Sequence, residues 1–121
     1  MLTLIHQNII VNILFYGCRI KFFLKAKKGT IVGVLSKAMG SEKDQTATSM
    51  SSYIIAKSAL KSMLSVCAAE FNWLKIRTVI PNFTKTKMLD VFDSRYLEIL
   101  DKQKKISTPE NVAKLIINEI I

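Results

Sequence analysis

The sequence contains few of the residues from which metal and nucleophilic sites are built. Its 121 residues include one histidine, His6, and two cysteines, Cys18 and Cys67. A single histidine excludes a histidine-rich zinc site and argues against a Ser-His-Asp triad. The cysteines lack the Cys-x-x-Cys spacing, so we interpret them as buried thiols in a reducing, cytoplasmic protein. No metal site is predicted.

The chain also lacks an uninterrupted apolar run long enough to cross a membrane. A spanning helix needs about 20 mostly apolar residues, and polar or charged side chains interrupt the apolar segment 1–24 at six positions: His6, Gln7, Asn8, Asn12, Arg19 and Lys21. The charge order and cleavage pattern of a signal peptide are missing as well. We therefore predict a buried amphipathic helix there, and no membrane partner.

Acidic residues are scarce, with 9 Asp and Glu against 18 Lys and Arg, which gives a formal charge of +9. A basic balance permits nucleic-acid or membrane-surface binding without selecting either. The lysines are scattered and form no stripe with interleaved aromatic residues, so a basic binding protein is the least favoured interpretation and no nucleic-acid partner is predicted. Half of the residues are hydrophobic, which is typical of a globular chain, here a single domain 1–121.

The pattern of apolar residues predicts an α/β fold with two parallel strands and about four helices. The predicted elements are a helix 2–27, a strand 30–35, a polar loop 37–52, a helix 51–72, a strand 75–80, a polar loop 84–87, a helical or broken-helical stretch 88–104 and a helix 109–119. The order strand, helix, strand predicts a right-handed parallel βαβ unit. In the helix 51–72, the predicted core face is Ile55, Ala59, Leu60, Met63, Val66, Cys67 and Phe71.

The helix 51–72 opens with a tyrosine and a lysine four residues apart, Tyr53 and Lys57. This spacing places the phenol and the ammonium on the same face of a helix. A lysine in that position favours the phenolate, so Tyr53 is a candidate proton donor or acceptor.

Four short motifs in chain order resemble the C-terminal half of a short-chain dehydrogenase/reductase. They are Asn12, the run Gly-Thr-Ile-Val-Gly-Val-Leu-Ser at 29–36, Tyr-Ile-Ile-Ala-Lys at 53–57 and Pro-Asn-Phe-Thr-Lys-Thr at 81–86. The resemblance covers nearly the whole chain. It implies a partial Rossmann-like doubly wound parallel sheet whose N-terminal dinucleotide-binding half is missing.

The resemblance also implies a role for each matching residue in an oxidoreductase that uses NAD or NADP. Tyr53 exchanges a proton with the oxygen of a small carbonyl or alcohol substrate, and Lys57 supports Tyr53 and binds the nicotinamide ribose. Ser36 holds the substrate oxygen, and Asn12 supports a water in the proton relay. The cofactor-binding residues implied are Tyr53, Lys57, Pro81, Thr84 and Thr86.

Three departures from the family pattern qualify these roles. Asn82 stands where the family usually has glycine, although asparagine tolerates a positive φ. The interval from Ser36 to Tyr53 is about four residues longer than expected, which requires the loop between them to bulge. The four glycines form no glycine-rich phosphate turn, so turnover by this chain alone is not expected. A complementary N-terminal chain, or a truncated reading frame, would explain the missing half.

A non-catalytic alternative uses the same resemblance. In the family, the helices corresponding to 2–27 and 51–72 pack against their copies in a partner subunit. We therefore predict a homo-oligomer through these helices. A chain that keeps them could also be a dimerisation or regulatory fragment in which Tyr53 and Lys57 are vestigial.

Overall fold

The computed structural model of the chain describes residues 23–121, except 44, 49, 86–88, 91 and 104. Within these residues the fold is mixed α/β. The elements in chain order are β1 (Gly29–Val34), α1 (Ser51–Glu70), β2 (Leu74–Val79), β3 (Phe83–Thr84), α2 (Ser94–Lys102), β4 (Ile106–Ser107) and α3 (Pro109–Ile120). A short 3-10 turn, Lys37–Met39, follows β1.

The strands β1 and β2 form a parallel pair connected through α1. Their register runs from Gly29 opposite Leu74 to Val34 opposite Val79. Parallel neighbours need a long crossover connection, and the 20-residue helix α1 supplies it. Both predicted strands are therefore confirmed, and each begins and ends one residue earlier than predicted.

The core lies between α1 and one face of this sheet. Its buried members are Ile31, Leu35, Leu60, Leu64 and Leu74. The buried face of α1 consists of Ala56, Leu60, Leu64 and Cys67, at the three- and four-residue spacing of one helical face. The burial of Cys67 agrees with its interpretation as a buried thiol, and this burial, with the nearby Glu70 carboxylate, raises its pKa.

The predicted core face of α1 is wrong at Ile55 and Val66. The side chain of Ile55 is 46% exposed and that of Val66 is 55% exposed. Small or apolar side chains occur on almost every side of α1, so the spacing of its apolar residues alone did not determine which face meets the sheet. Because Leu64 lies against Gly33 of β1, the helix turns Ile55 and Val66 away from the core.

Helix α3 packs against both β1 and β2. The end of α3 lies beside Thr30, Lys75 and Arg77, whose side chains alternate along the strands with the core residues Ile31, Leu74 and Ile76. Helices thus cover both faces of the β1–β2 pair. The helix begins as predicted, because the Thr108 hydroxyl oxygen accepts a hydrogen bond from the Asn111 backbone N–H and Pro109 occupies the first turn.

A second parallel pair, β3 and β4, is absent from the sequence-based prediction. Phe83 lies opposite Ile106, and Thr84 lies opposite Ser107. The predicted polar loop 84–87 is therefore wrong at Thr84. In the stretch 88–104, the described residues include the helix α2, capped by the Asp93 carboxylate, which accepts from the Arg95 backbone N–H at 2.8 Å.

The predicted helix 2–27 falls mainly outside the described residues, of which 23–26 are helical. Asn12 and Thr86 also lie outside the described part of the chain. Across the residues that are described, no helix has the length and apolar character needed to span a membrane.

Candidate functional site

The site lies where the carboxyl ends of β1 and β2 meet. Backbone pairing continues past both strands, since the Leu35 N–H donates to the Val79 carbonyl at 2.9 Å and the Lys37 N–H donates to the Pro81 carbonyl at 3.0 Å. Ser36 and Pro81 are thereby held close to one another. In open α/β sheets, ligands bind in the crevice beyond the carboxyl ends of the strands.

Four of the predicted site residues line one small cavity at this edge: Ser36, Tyr53, Pro81 and Thr84. Its volume is about 180 Å³. Ser36 follows β1, Tyr53 belongs to the first turn of α1, and Pro81 and Thr84 come after β2. Residues that are distant in sequence therefore converge on one cavity, which we call the catalytic cavity after the predicted catalytic residues that line it.

The side chain of Lys57 lies one helical turn beyond Tyr53. Its Nζ is 5.7 Å from the centroid of the Tyr53 ring and donates a hydrogen bond to the Val34 carbonyl oxygen at 2.8 Å. An ammonium has three N–H donors, so two remain for other acceptors. The contact with Val34, which also lines the catalytic cavity, fixes the ammonium at the end of β1.

Burial lowers the pKa of Lys57 below its usual value of 10.5. The cause is desolvation, because a charged ammonium loses water when it is partly enclosed. The folded protein therefore binds this proton less tightly than the unfolded chain does. The stability contributed by this group therefore rises as pH increases from the lowered pKa toward 10.5.

Ser36 has a structural role as well as a place in the cavity. Its side chain is 8% exposed, and its Oγ accepts a hydrogen bond from the Ala38 backbone N–H at 3.1 Å. This bond caps the 3-10 turn Lys37–Met39. A hydroxyl group has one donor and two acceptor positions, so capping uses an acceptor position and leaves the O–H hydrogen able to bond a substrate oxygen.

The long interval between Ser36 and Tyr53 is accommodated by a loop folded back on itself. The 3-10 turn begins directly after Ser36, Gly40 has a φ of 74°, and the Ala47 N–H donates to the Ala38 carbonyl at 2.9 Å. The extra residues thus close a local loop at the mouth of the site. They do not separate Ser36 from Tyr53, since both line the catalytic cavity.

Asparagine at position 82, where the resembled family usually has glycine, is accommodated without unusual backbone geometry. Among the described non-glycine residues, only Lys27 has a positive φ, so the turn at Asn82 does not need the conformation that favours glycine. The Asn82 carbonyl accepts a hydrogen bond from the Thr84 hydroxyl at 3.3 Å, and both residues face the catalytic cavity.

Sequence reasoning missed the apolar part of the catalytic cavity. Met50, Leu89 and Val112 line it, and they come from three separated segments without a shared motif. Only the Thr108–Pro109 helix start offered a signal, because it sets the position of Val112 on α3. Among the described residues, no cluster of three or more His, Cys, Asp or Glu side chains could hold a metal ion.

A dinucleotide fits these residues only in part. Pockets that enclose small ligands typically have volumes of about 300–1,000 Å³, and the catalytic cavity is smaller at about 180 Å³. The Lys57 ammonium, which lies beside the Tyr53 ring but does not line the cavity, keeps two N–H donors that suit the hydroxyl groups of a ribose. No protein-family model matches this sequence, and a search of curated proteins likewise finds no match.

Proposed function

We propose that this chain carries the proton-transfer part of an NAD(P)-dependent oxidoreductase of the short-chain dehydrogenase/reductase type. The observation that supports this proposal is the convergence of Ser36, Tyr53, Pro81 and Thr84 on one cavity, with the Lys57 ammonium beside the Tyr53 ring. The motifs from which the resemblance was drawn lie far apart in sequence. A Rossmann-like origin would account for their meeting at the carboxyl ends of two parallel strands.

The proposed reaction reduces a carbonyl to an alcohol, or runs in reverse. A reduced nicotinamide, when bound, supplies the hydride that adds to the carbonyl carbon. The Tyr53 hydroxyl donates its proton to the carbonyl oxygen as the carbon–oxygen π bond breaks, and the resulting phenolate regains a proton from water. The Ser36 hydroxyl donates a hydrogen bond to the same oxygen and orients it toward Tyr53.

Lys57 acts on Tyr53 and on the cofactor end of the site. Its positive charge near the ring stabilises the phenolate left after proton transfer. Because the Val34 carbonyl holds its Nζ at 2.8 Å, the ammonium is positioned before any ligand binds. Its remaining N–H groups are the donors that would hold the nicotinamide ribose.

The test is an assay for carbonyl reduction that follows the consumption of NADH or NADPH with a panel of small aldehydes and ketones. The 121-residue chain is assayed alone and together with the N-terminal half of a short-chain dehydrogenase supplied as a second chain. We expect reduction in the complemented sample. Absence of reduction in both samples, with all panel members and both dinucleotides, would contradict the proposal.

A second candidate function, dimerisation, is favoured by the exposed apolar face of α1. Ile55 and Val66 are exposed and lie on the same side of the helix as the small residue Ser62, since the spacings of seven and four residues are near whole turns. Small residues between two apolar ones allow another helix to approach closely. We propose that α1 packs against α1 of a second copy of the chain.

A charged residue in this face should disrupt the assembly. We expect Ile55→Asp to raise the dimer dissociation constant at least about tenfold, since burying an unpaired carboxylate costs more than 1.4 kcal/mol. Sedimentation velocity over a range of protein concentrations measures it. The control is Ala68→Asp, which places the same charge at an exposed position on another side of α1. A monomeric wild-type chain, or equal effects of both substitutions, would exclude this interface.

A further inference from the structure

A second cavity adjoins the catalytic cavity and is larger, with a volume of about 400 Å³. Asn82 and Phe83 line both cavities. The larger volume falls within the range of about 300–1,000 Å³ that is usual for small-molecule sites, whereas the catalytic cavity is too small for more than a reacting group and its immediate neighbours. The two cavities together suit a substrate whose body lies outside the catalytic cavity.

The charged side chains that line the larger cavity are both positive. Lys37 and Lys105 line it, and the described residues around it include no aspartate or glutamate. The remaining polar side chains are neutral, namely the amides of Gln45, Asn82 and Gln103 and the phenol of Tyr96. Two ammonium groups without a carboxylate favour an anionic ligand, and amides can donate hydrogen bonds to its oxygens.

The backbone holds both lysines at the cavity wall. The Lys37 N–H donates to the Pro81 carbonyl at 3.0 Å, which ties this residue to the end of the sheet. The Lys105 N–H donates to the Leu100 carbonyl at 2.9 Å, which ties it to the end of α2. Both side chains are exposed, so their charges are hydrated before a ligand binds and carry little cost of burial.

The apolar part of the same cavity presents aromatic rings. Phe83 and Tyr96 line it, and Phe92 holds them in one cluster, with ring centroids 6.3 Å from Phe83 and 5.6 Å from Tyr96. Leu100, which is buried, completes this surface. Flat rings packed by other rings offer contact area at low entropic cost to a planar ligand.

We propose that the larger cavity binds the body of a planar, anionic carbonyl compound, with Lys37 and Lys105 contacting its carboxylate. The position of its carbonyl group in the catalytic cavity rests on the proposed function. Binding of the anion by the two lysines is independent of the proposed function. The substrate class is therefore an aromatic or similarly flat aldehyde or ketone that carries a carboxylate away from the reacting carbonyl.

The test compares two probes of nearly equal shape, 4-acetylbenzoate and the neutral 4-acetylbenzamide. Binding to the full chain is measured by titration calorimetry and by chemical-shift changes, so no turnover is needed. Each contact between the carboxylate of the acid and an exposed lysine ammonium adds a small favourable free energy of binding. The two contacts together give an expected preference of about tenfold for the acid over the amide.

Two double variants locate the effect. The variant Lys37→Gln/Lys105→Gln should reduce the preference for the acid to about twofold or less. The control Lys61→Gln/Lys114→Gln removes the same net charge from exposed positions outside this cavity. This control should retain the preference for the acid. Equal affinity for the two probes, no binding of the acid at millimolar concentration, or equal loss in both double variants would overturn the proposal. A tenfold preference, with no reduction in the complemented assay, would leave this inference standing and reject the proposed function instead.

Discussion

Replacing Tyr53 with phenylalanine is expected to lower the rate of carbonyl reduction by about 10²–10⁴-fold, the usual contribution of a positioned acid or base. The substitution removes only the hydroxyl group. The ring remains to line the catalytic cavity and to contact the Lys57 ammonium, so dinucleotide affinity should change little. The measurement is kcat and the dinucleotide Kd in the complemented assay.

The matched control for this substitution is Ser58→Ala. It removes a hydroxyl group from an exposed position on the same helix, five residues beyond Tyr53, and should leave kcat unchanged. Unaltered turnover in the Tyr53→Phe protein would reject Tyr53 as the acid and base. Equal losses in the two variants would show that the effect comes from a disturbed helix and not from the missing phenol.

The second large effect, on the free energy of unfolding, is expected for substitutions at the contact between α1 and β1. A Cβ atom at Gly33 would overlap Cδ1 of Leu64, which is the largest fully buried side chain among the described residues. Gly33→Ala should therefore lower the free energy of unfolding by about 1–3 kcal/mol through overpacking. Leu64→Ala should lower it by about 2–5 kcal/mol through the cavity that it leaves.

The two substitutions should not add. In Gly33→Ala/Leu64→Ala, the new methyl group occupies part of the space that the leucine vacates. We expect the double variant to be more stable than the sum of the single effects by about 1 kcal/mol. Urea unfolding of the four proteins measures this coupling. Strict additivity would contradict the close approach of α1 to the sheet at Gly33.

The β1–α1–β2 unit was predictable because its sequence signals are local. Each strand is a short run of apolar and β-branched residues, and polar or turn-forming residues such as Ser36 and Pro81 bound it. The start of α3 was equally clear, since Thr108 and Pro109 supply a cap and a first-turn proline. In the structure, Ser36 and Pro81 follow these two neighbouring strands and lie close together.

The other features depend on packing that no local pattern encodes. Strands of two residues, such as β3 and β4, are too short to show an alternation of polar and apolar side chains. The orientation of α1 was ambiguous because Ile55 and Leu60 are both apolar, and the contact with Gly33 selects the face that carries Leu60 and Leu64. The larger cavity combines residues from four segments, and its aromatic rings meet only after α2 packs beside β3.

The most direct test of a cofactor-binding proton-transfer site is thermal unfolding of the 121-residue chain together with the N-terminal half used in the reduction assay, with and without NADH or NADPH. A dinucleotide at 100 times its Kd should stabilise the protein by about 2.7 kcal/mol, with an increase in Tm. Lys57→Met removes the ammonium and keeps a side chain of similar length, and its Tm should increase less with the dinucleotide. No increase in the wild-type Tm with either dinucleotide, or an equal increase in Lys57→Met, would contradict the account.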